Sequence, residues 1–380
     1  MEYRELGKTG KKVSIIGLGC EHLDGADYEV VKETIDVALA GGVNIFDVFM
    51  PGKEIRYNIA KALGLRRPEI MIQGHIGATD VNEQYDISRD LPTVKKYFDE
   101  LVEIFGYIDF GMIFFIDTPE DYTKIFETEL IDYIKDLKTS GKVKHLGFSS
   151  HNPAIAMKVI ETGLVEMMLF SINPAFDMLP ANEYVFDYSD TDFGVGLFRG
   201  LDPQRAQLYK LCSQKDIGIT VMKAFGGGKL LSNEQSPFNK ALTVAQCLHY
   251  ALSRPAVASV LAGCASSEQM SATLRYLKLD EAAKDYSTII SSQRNDFTGT
   301  CVYCSHCQPC PLNLDIATIT KYLDIAKLNP DKIPPSLKMH YHNLRYKADL
   351  CSACGFCESR CPFKVAIIDN MQEAEKLLAK

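Results

Sequence analysis

Between residue 13 and about residue 280, eight apolar runs of strand length alternate with helical patterns, and two short runs dense in cysteine follow. This order predicts an α/β chain with a (β/α)8 barrel over residues 1–285 and a small domain of helices and loops over 286–380. Continuously apolar strands separated by helices need a parallel sheet covered on both faces, and eight such units close into a barrel. A doubly wound sheet would carry a Gly-rich fingerprint after its first strand. Gly17-Leu-Gly19-Cys-Glu-His22 offers two of its three glycines and begins no helix, which favours the barrel.

The units follow in order. VSIIGLG (13–19) is rich in β-branched residues and closed by Gly; residues 29–40 then carry Val31, Ile35, Ala38 and Leu39 on one helical face, with Gly41 as the stop. NIFDVF (44–49) precedes a helix over 54–63, and IMIQGHI (70–76) precedes one over 92–105. Further strands are expected at 109–117, 144–150, 167–173, 218–224 and 257–263, each followed by a helical segment. The connection from Asp177 to about Pro203 has little helical period; a loop of that length at the C-terminal end of a barrel strand reads as a lid or interaction surface. The rhythm stops near 280–298. Between the cysteine runs, residues 315–348 show one helical stretch, then a Pro-rich basic segment whose His340 and His342 read as solvent-exposed.

Bulk numbers exclude several classes. A chain of 380 residues has room for one large domain and a small one. A hydrophobic content of 46% with 24% charged residues is ordinary for a globular protein. No apolar run approaches the ~20 residues of a membrane span, and the charged start MEYRELGKTGKKVS has no apolar core of a secretory signal. A net charge of −8 without a basic stripe argues against nucleic acid as partner. The partners expected are a small-molecule substrate or a redox partner protein. Cys20, Cys212, Cys247 and Cys264 are scattered, as in a reducing cytoplasm.

The other eight cysteines form a pattern. Cys301-Val-Tyr-Cys304-Ser-His-Cys307-Gln-Pro-Cys310 is followed by Pro311, and Cys351-Ser-Ala-Cys354-Gly-Phe-Cys357-Glu-Ser-Arg-Cys361 by Pro362. Thiolates spaced by two residues let one loop wrap three corners of an iron–sulfur cube, and in two-cluster ferredoxins the fourth ligand is the Cys before Pro of the other run. Cys301, Cys304, Cys307 and Cys361 are thereby assigned to one [4Fe–4S] cluster, and Cys351, Cys354, Cys357 and Cys310 to the second. A single CxxC pair could equally be zinc or a redox dithiol. The first run has two residues rather than three before its last Cys, so the exchange of fourth ligands rests on less than ligation itself.

The opening YRELGKTGKKVSIIGLG, NIFDV at the second strand, YIDF at the fourth, GKVKHLGFSSHN at the fifth and VMKAFGGGKLL at the seventh resemble the aldo–keto reductases, in particular the branch with a C-terminal ferredoxin-like domain. The resemblance covers nearly the whole chain. It implies hydride transfer from NADPH to a carbonyl at the barrel mouth, with a Tyr proton donor, a Lys that tunes it, an Asp that pairs with the Lys and a His that orients the carbonyl. Asp47 matches the Asp. The loop Val48-Phe-Met-Pro-Gly52-Lys53-Glu54 holds no Tyr, and Tyr57 falls in the next helix. Gln73-Gly74-His75-Ile76 places His75 where the family has Lys, and Phe114 stands where it has His, with Asp117 three residues on. Three of the four catalytic residues are thus missing. For the nucleotide, Ser149 and Ser150 stand where the family has Ser-Asn, Ser171 replaces a Gln, and Asn173 remains. The stretch Gly263 to Gln269 supplies no cation for a 2′-phosphate, and Ala272-Thr273 replaces a Glu-Asn pair. The loop Gly226, Gly227, Gly228 and Lys229 survives, and barrels bind phosphate at their last two loops.

The strand C-termini nevertheless form a polar set: Glu21, His22, Asp47, His75, Asp117, Ser149, His151, Asn173 and Lys223. Asp47, His75, Asp117 and His151 are the candidate catalytic residues, since a carboxylate-oriented imidazole does acid–base work near neutral pH. Ser149, Ser150, Asn173, Lys223 and the three glycines are the candidate cofactor contacts. Three His with carboxylates could also hold a metal ion; the plainer reading is side chains hydrogen-bonded to loops. Cys20 and Cys264 read as packing residues. Nicotinamide gives two electrons as hydride and a cluster takes one, so NAD(P) would need a converter; a flavin such as FMN is compatible with the surviving glycine loop. Three readings stay open: an iron–sulfur oxidoreductase of aldo–keto reductase type with a non-standard site, which we adopt; an electron-transfer subunit with an inactive barrel; and a lyase or isomerase using His75 and Asp47 with structural clusters.

Overall fold

The computed structural model describes residues 1–81, 84–178, 201–290, 299, 301–327 and 329–379. Twelve strands are described among these residues: β1 (Tyr3–Glu5), β2 (Lys12–Ser14), β3 (Ile16–Gly19), β4 (Ile45–Val48), β5 (Met71–Ile76), β6 (Ala78–Val81), β7 (Gln84–Ile87), β8 (Ile108–Ile113), β9 (Val143–Ser150), β10 (Met167–Ser171), β11 (Gly218–Met222) and β12 (Val257–Gly263). Eight of them close a parallel barrel in the order β3-β4-β5-β8-β9-β10-β11-β12, with β12 returning to β3 through Val260 opposite Ile16. Every strand expected from the sequence is present. The fourth ends early, at Ile113, because Phe115 turns into the left-handed region at φ 54°.

Two hairpins were not legible in the sequence. β1 pairs antiparallel with β2 near the barrel floor, and β6 with β7 directly after β5. The first brings Leu6 and Val13 into the group that fills the barrel interior, alongside Ile45, Phe110, Met112, Met167, Leu169 and Leu261. Side chains alternate across a strand, so the residues that follow these at a spacing of two, Asp47 after Ile45 and Gln73 then His75 after Met71, are set on the inward face. Fatty layers therefore lie low in the barrel and polar ones toward the strand C-termini.

A filled barrel needs places without a side chain. A Cβ on Gly17 would stand 2.5 Å from Leu261 Cδ2 and 2.9 Å from Ile45 Cγ2, and one on Gly147 2.7 Å from Met112 Sδ. The outer helices start on explicit caps. Asp90, Thr118, Asn152 and Asp202 accept from backbone N–H groups in the first turns of Leu91–Phe105, Pro119–Phe126, Pro153–Glu161 and Pro203–Lys215, and Thr243 forms a reciprocal box with Gln246 at the head of Val244–Ser253.

The expected lid, from Asp177 to about Pro203, falls largely on 179–200, outside the described residues; its two ends meet where Asp202 N donates to Asp177 O at 2.7 Å. Beyond the barrel, Ile316–Ala326 packs against Ile367–Leu378, with short helices Pro335–His342 and Phe356–Arg360 between them in sequence. The Pro-rich basic segment is helical because its prolines sit at the start of the helix, where a missing N–H is harmless. His342 is exposed, as expected, while His340 is half-buried and stacks on Tyr322. No described helix is long and apolar enough to cross a membrane.

Gly17→Ala should destabilise the protein by about 1–3 kcal/mol through overpacking. Urea unfolding followed by circular dichroism would show the lowered midpoint; an unchanged midpoint would mean that the barrel centre has slack.

Candidate functional site

The inward face of β4 and β5 carries Asp47 and His75 to the mouth, where His75 Nε2 meets Asp47 Oδ1 at 2.8 Å. Gln73 Nε2 donates to the same oxygen at 2.7 Å, and its own Oε1 accepts from Thr220 Oγ1 at 3.0 Å, bracing the carboxylate from across the barrel. The imidazole is only 2% exposed and its Nδ1 is buried without a protein partner. Aromatic rings wall it in: Phe114 stands edge-on at 5.2 Å and Phe49 at 6.0 Å, and Phe49 meets Tyr85, from the β6–β7 hairpin, at 5.5 Å.

A second carboxylate–imidazole pair lies on the other side of Phe114. His151 Nδ1 is 2.8 Å from Asp117 Oδ2, while the backbone N–H of His151 and Ser150 Oγ both donate to Asp117 Oδ1, at 2.6 and 2.9 Å. Burial would raise the Asp117 carboxyl, but His151 and these donors hold it below its ordinary value. Burial lowers the His151 imidazole; Asp117 opposes this and Lys223 and Arg205 add to it. His151 Nε2 is buried without a protein partner. Phe115, next to Phe114, covers the ring of His151 at 4.8 Å. The two imidazoles are thus separated by the Phe114–Phe115 pair, each backed by its own carboxylate.

Lys223 follows β11 in the left-handed region at φ 59°. Its side chain is exposed at the mouth, and the protein crowded around it lowers the ammonium against the pull of Asp117 and Glu21. The other nominated residues have duties inside the protein. Ser149 Oγ accepts from Phe115 N at 2.8 Å, and Asn173 joins Lys223 O to Phe176 N. Gly226, Gly227 and Gly228 all have positive φ, but the N–H groups of Gly226, Gly228 and Lys229 are engaged in turns onto Lys223, Phe225 and Gly226. Three of the loop's N–H groups are therefore turned onto the loop itself. His22 is exposed, stands over Gly263 and joins neither pair. Tyr57 is also exposed, beside Lys53. Among the described residues no three His, Cys, Asp or Glu side chains converge on one metal ion, which corrects the three-histidine alternative.

Sequence reasoning missed the brace from Gln73 to Thr220 and the aromatic wall. The first was within reach, since Gln73 and His75 share a strand face by alternation. The wall was not, because Tyr85 arrives on an unforeseen hairpin.

A second polar network runs down the barrel side. Asp177, wholly buried, accepts from Arg205 Nε at 2.8 Å, Tyr209 Oη at 2.5 Å and Tyr250 Oη at 2.8 Å. Arg254 follows the same helix as Tyr250, packs over the Tyr250 ring and donates, with Tyr286, to the carbonyl of Val302 in the first cysteine run. That run therefore docks near the N-terminal end of β12, away from the mouth.

A closed parallel barrel with carboxylates, imidazoles and a lysine gathered at its strand C-termini is a (β/α)8 barrel of the kind that places its chemistry at that face. This chain belongs to the aldo/keto reductase family: the family's sequence profile matches residues 15–246. Its fold is similar to that of the aldo-keto reductase AKR11C1 from Bacillus halodurans. In the holo form the TM-score is 0.59 at 19% identity, covering 77% of this chain and 97% of that one. In the apo form it is 0.54 at 19% identity, covering 77% and 96%. A candidate aldo-keto reductase of Pseudomonas aeruginosa gives 0.55 at 17% identity, covering 72% and 95%.

The His151 imidazole should titrate below 6.5 in the folded chain, and Asp117→Asn should lower it further by removing the opposing charge. Histidine NMR titration reads both. Since the folded value lies below the unfolded one, the stability that His151 contributes is present above about 6.5 and falls as pH drops below it. A titration at or above the free value would overturn the arrangement.

Proposed function

We propose that this chain is an iron–sulfur oxidoreductase of aldo–keto reductase type with a non-standard active site, in which residues 1–285 form the catalytic barrel and residues 286–380 a ferredoxin-like domain. The observation that supports it best is a small apolar cavity on which Cys310 of the first run and Cys351, Cys354 and Cys357 of the second all open, walled by Leu314, Ile316, Ile367 and Met371. Those are the four thiols assigned to one cluster by the rule of exchanged fourth ligands. For the other, Cys304 and Cys307 lie within electrostatic reach of Cys361, Cys307 also of Cys357, and Cys301 of Cys304 and Cys307. Arg360 knits the runs together, donating to the carbonyls of Cys307 at 3.1 Å and Pro309 at 2.7 Å. The donor set suits iron–sulfur clusters, being all-thiol and paired between runs, with hydrocarbon on one side and Cys354 exposed on the other. It suits zinc less, since a structural zinc takes a single set of four ligands, whereas the eight thiols fall into two sets of four that exchange a member between the runs.

Bound clusters would supply electrons singly, two in all, the number that a carbonyl takes in becoming an alcohol. The same reduction takes two protons, drawn in the end from solvent, and the mouth holds two oriented imidazoles through which they could be passed. Asp47 fixes the ring of His75 through Nε2, leaving Nδ1 as the atom that could exchange a proton. Asp117 fixes His151 through Nδ1, leaving Nε2. Phe49, Phe114 and Phe115 exclude water from both rings, which strengthens each pair. Lys223 places a cation beside them for a developing oxyanion. No nicotinamide or flavin step belongs to this proposal. Four-thiol centres of this kind fit a reducing cytoplasm.

Chain purified anaerobically should carry about eight irons and as many acid-labile sulfides, and Cys310→Ser should lose half of each with one of two EPR signals. Iron absent from the fully reduced chain would sink the proposal. With dithionite as sole electron source and a panel of small carbonyl compounds, His75→Gln and His151→Gln should each slow reduction about 10²-fold or more. Full rates in both variants would confine the chemistry to the cysteine domain.

A further inference from the structure

The barrel places one full positive charge against the first cysteine run. Arg254 is 2% exposed. Its guanidinium donates to Val302 O, between Cys301 and Cys304, and lies 5.1 Å from the Tyr303 ring. Its remaining described partners are uncharged: Tyr250 O at 3.2 Å, Tyr286 Oη at 3.0 Å and Ser253 Oγ at 3.0 Å. Asp177, the carboxylate of the same network, is already matched by Arg205 at 2.8 Å. A guanidinium cannot shed its proton, so it stays charged in a low-dielectric wall where salt screens it little, facing a run that also holds Asp324, on Tyr303 Oη at 2.7 Å, and Asp285, paired with His306.

We propose that Arg254 raises the reduction potential of the cluster held by Cys301, Cys304, Cys307 and Cys361. The inference rests on the cluster reading above. Reduction adds one electron to an assembly that four thiolates have already made anionic, and a fixed buried cation stabilises the product more than the reactant. The cluster bound through Cys310, Cys351, Cys354 and Cys357 has no such contact with the barrel among the described residues.

The test is an EPR-monitored redox titration of the loaded full-length chain, in which a mediator dye is oxidised and the cluster irons are reduced by one electron. In Arg254→Gln and Arg254→Met one of the two clusters should lose at least tenfold in its reduced-to-oxidised ratio at fixed poise, which is 59 mV for a one-electron couple, while the other stays put. Arg254→Lys, which keeps the charge below the pH at which its ammonium titrates, should lose less. Because Arg254 is a core residue, Ser253→Asp provides a milder variant: it sets a carboxylate on the guanidinium's own partner and should lower the same potential in a chain that keeps the arginine. If the neutral variants do not load, this one decides alone. Potentials unmoved, or both moved equally, would overturn the inference. A wild-type chain with no iron defeats the cluster reading first and takes this inference with it, a result visible in the iron analysis before any titration.

Discussion

Asp177 has no contact with water, and a carboxylate in that position must be fully paired or it unfolds its surroundings. Arg205 and Tyr209 come to it from one outer helix and Tyr250 from the next, so that a single buried anion fixes two helices against β10. Arg205 also reaches the carbonyl of Ser171, at the end of that strand. Through Tyr250 and Arg254 the same constraint extends to Val302 and the cysteine runs. Mouth, wall and C-terminal segment are thereby held in one frame by a charge that takes no part in any proposed step.

The barrel was legible because each strand is a short apolar run and each intervening helix has its own period and cap. Ile45 to Val48 and Met71 to Ile76 needed nothing from elsewhere to be recognised. The hairpins were not legible for the opposite reason. Tyr3–Glu5 and Gln84–Ile87 are short and polar, and pair only because a barrel floor and a barrel mouth lie beneath them. Pro335–His342 failed similarly: prolines read as breakers until their place at a helix start is known.

The candidate site was half legible. That Asp47 would meet His75 follows from adjacent strands and common parity. Asp117 and His151 were both nominated, yet their pairing depends on the turn at Phe115, which brings the end of β8 against the end of β9. Phe114, noted as the residue standing in place of a catalytic His, is also a partition, with Phe115, between two imidazoles. The glycine loop was legible only in part, because three glycines announce freedom of φ but not where the N–H groups go; here Gly226 and Gly228 turn theirs inward.

The seat of the cysteine runs bears on how such a chain could be divided. Val302 is held by Arg254 and Tyr286, and Gln246 of a barrel helix reaches the carbonyl of Asp285 just before the runs begin. A cut near residue 285 would therefore leave the cysteine-bearing segment without the neighbours that shape its first loop. The C-terminal segment is not a cassette to be moved between proteins. A graft would have to bring part of the barrel wall along, and an ancestor that acquired the segment would have had to fit that wall to it.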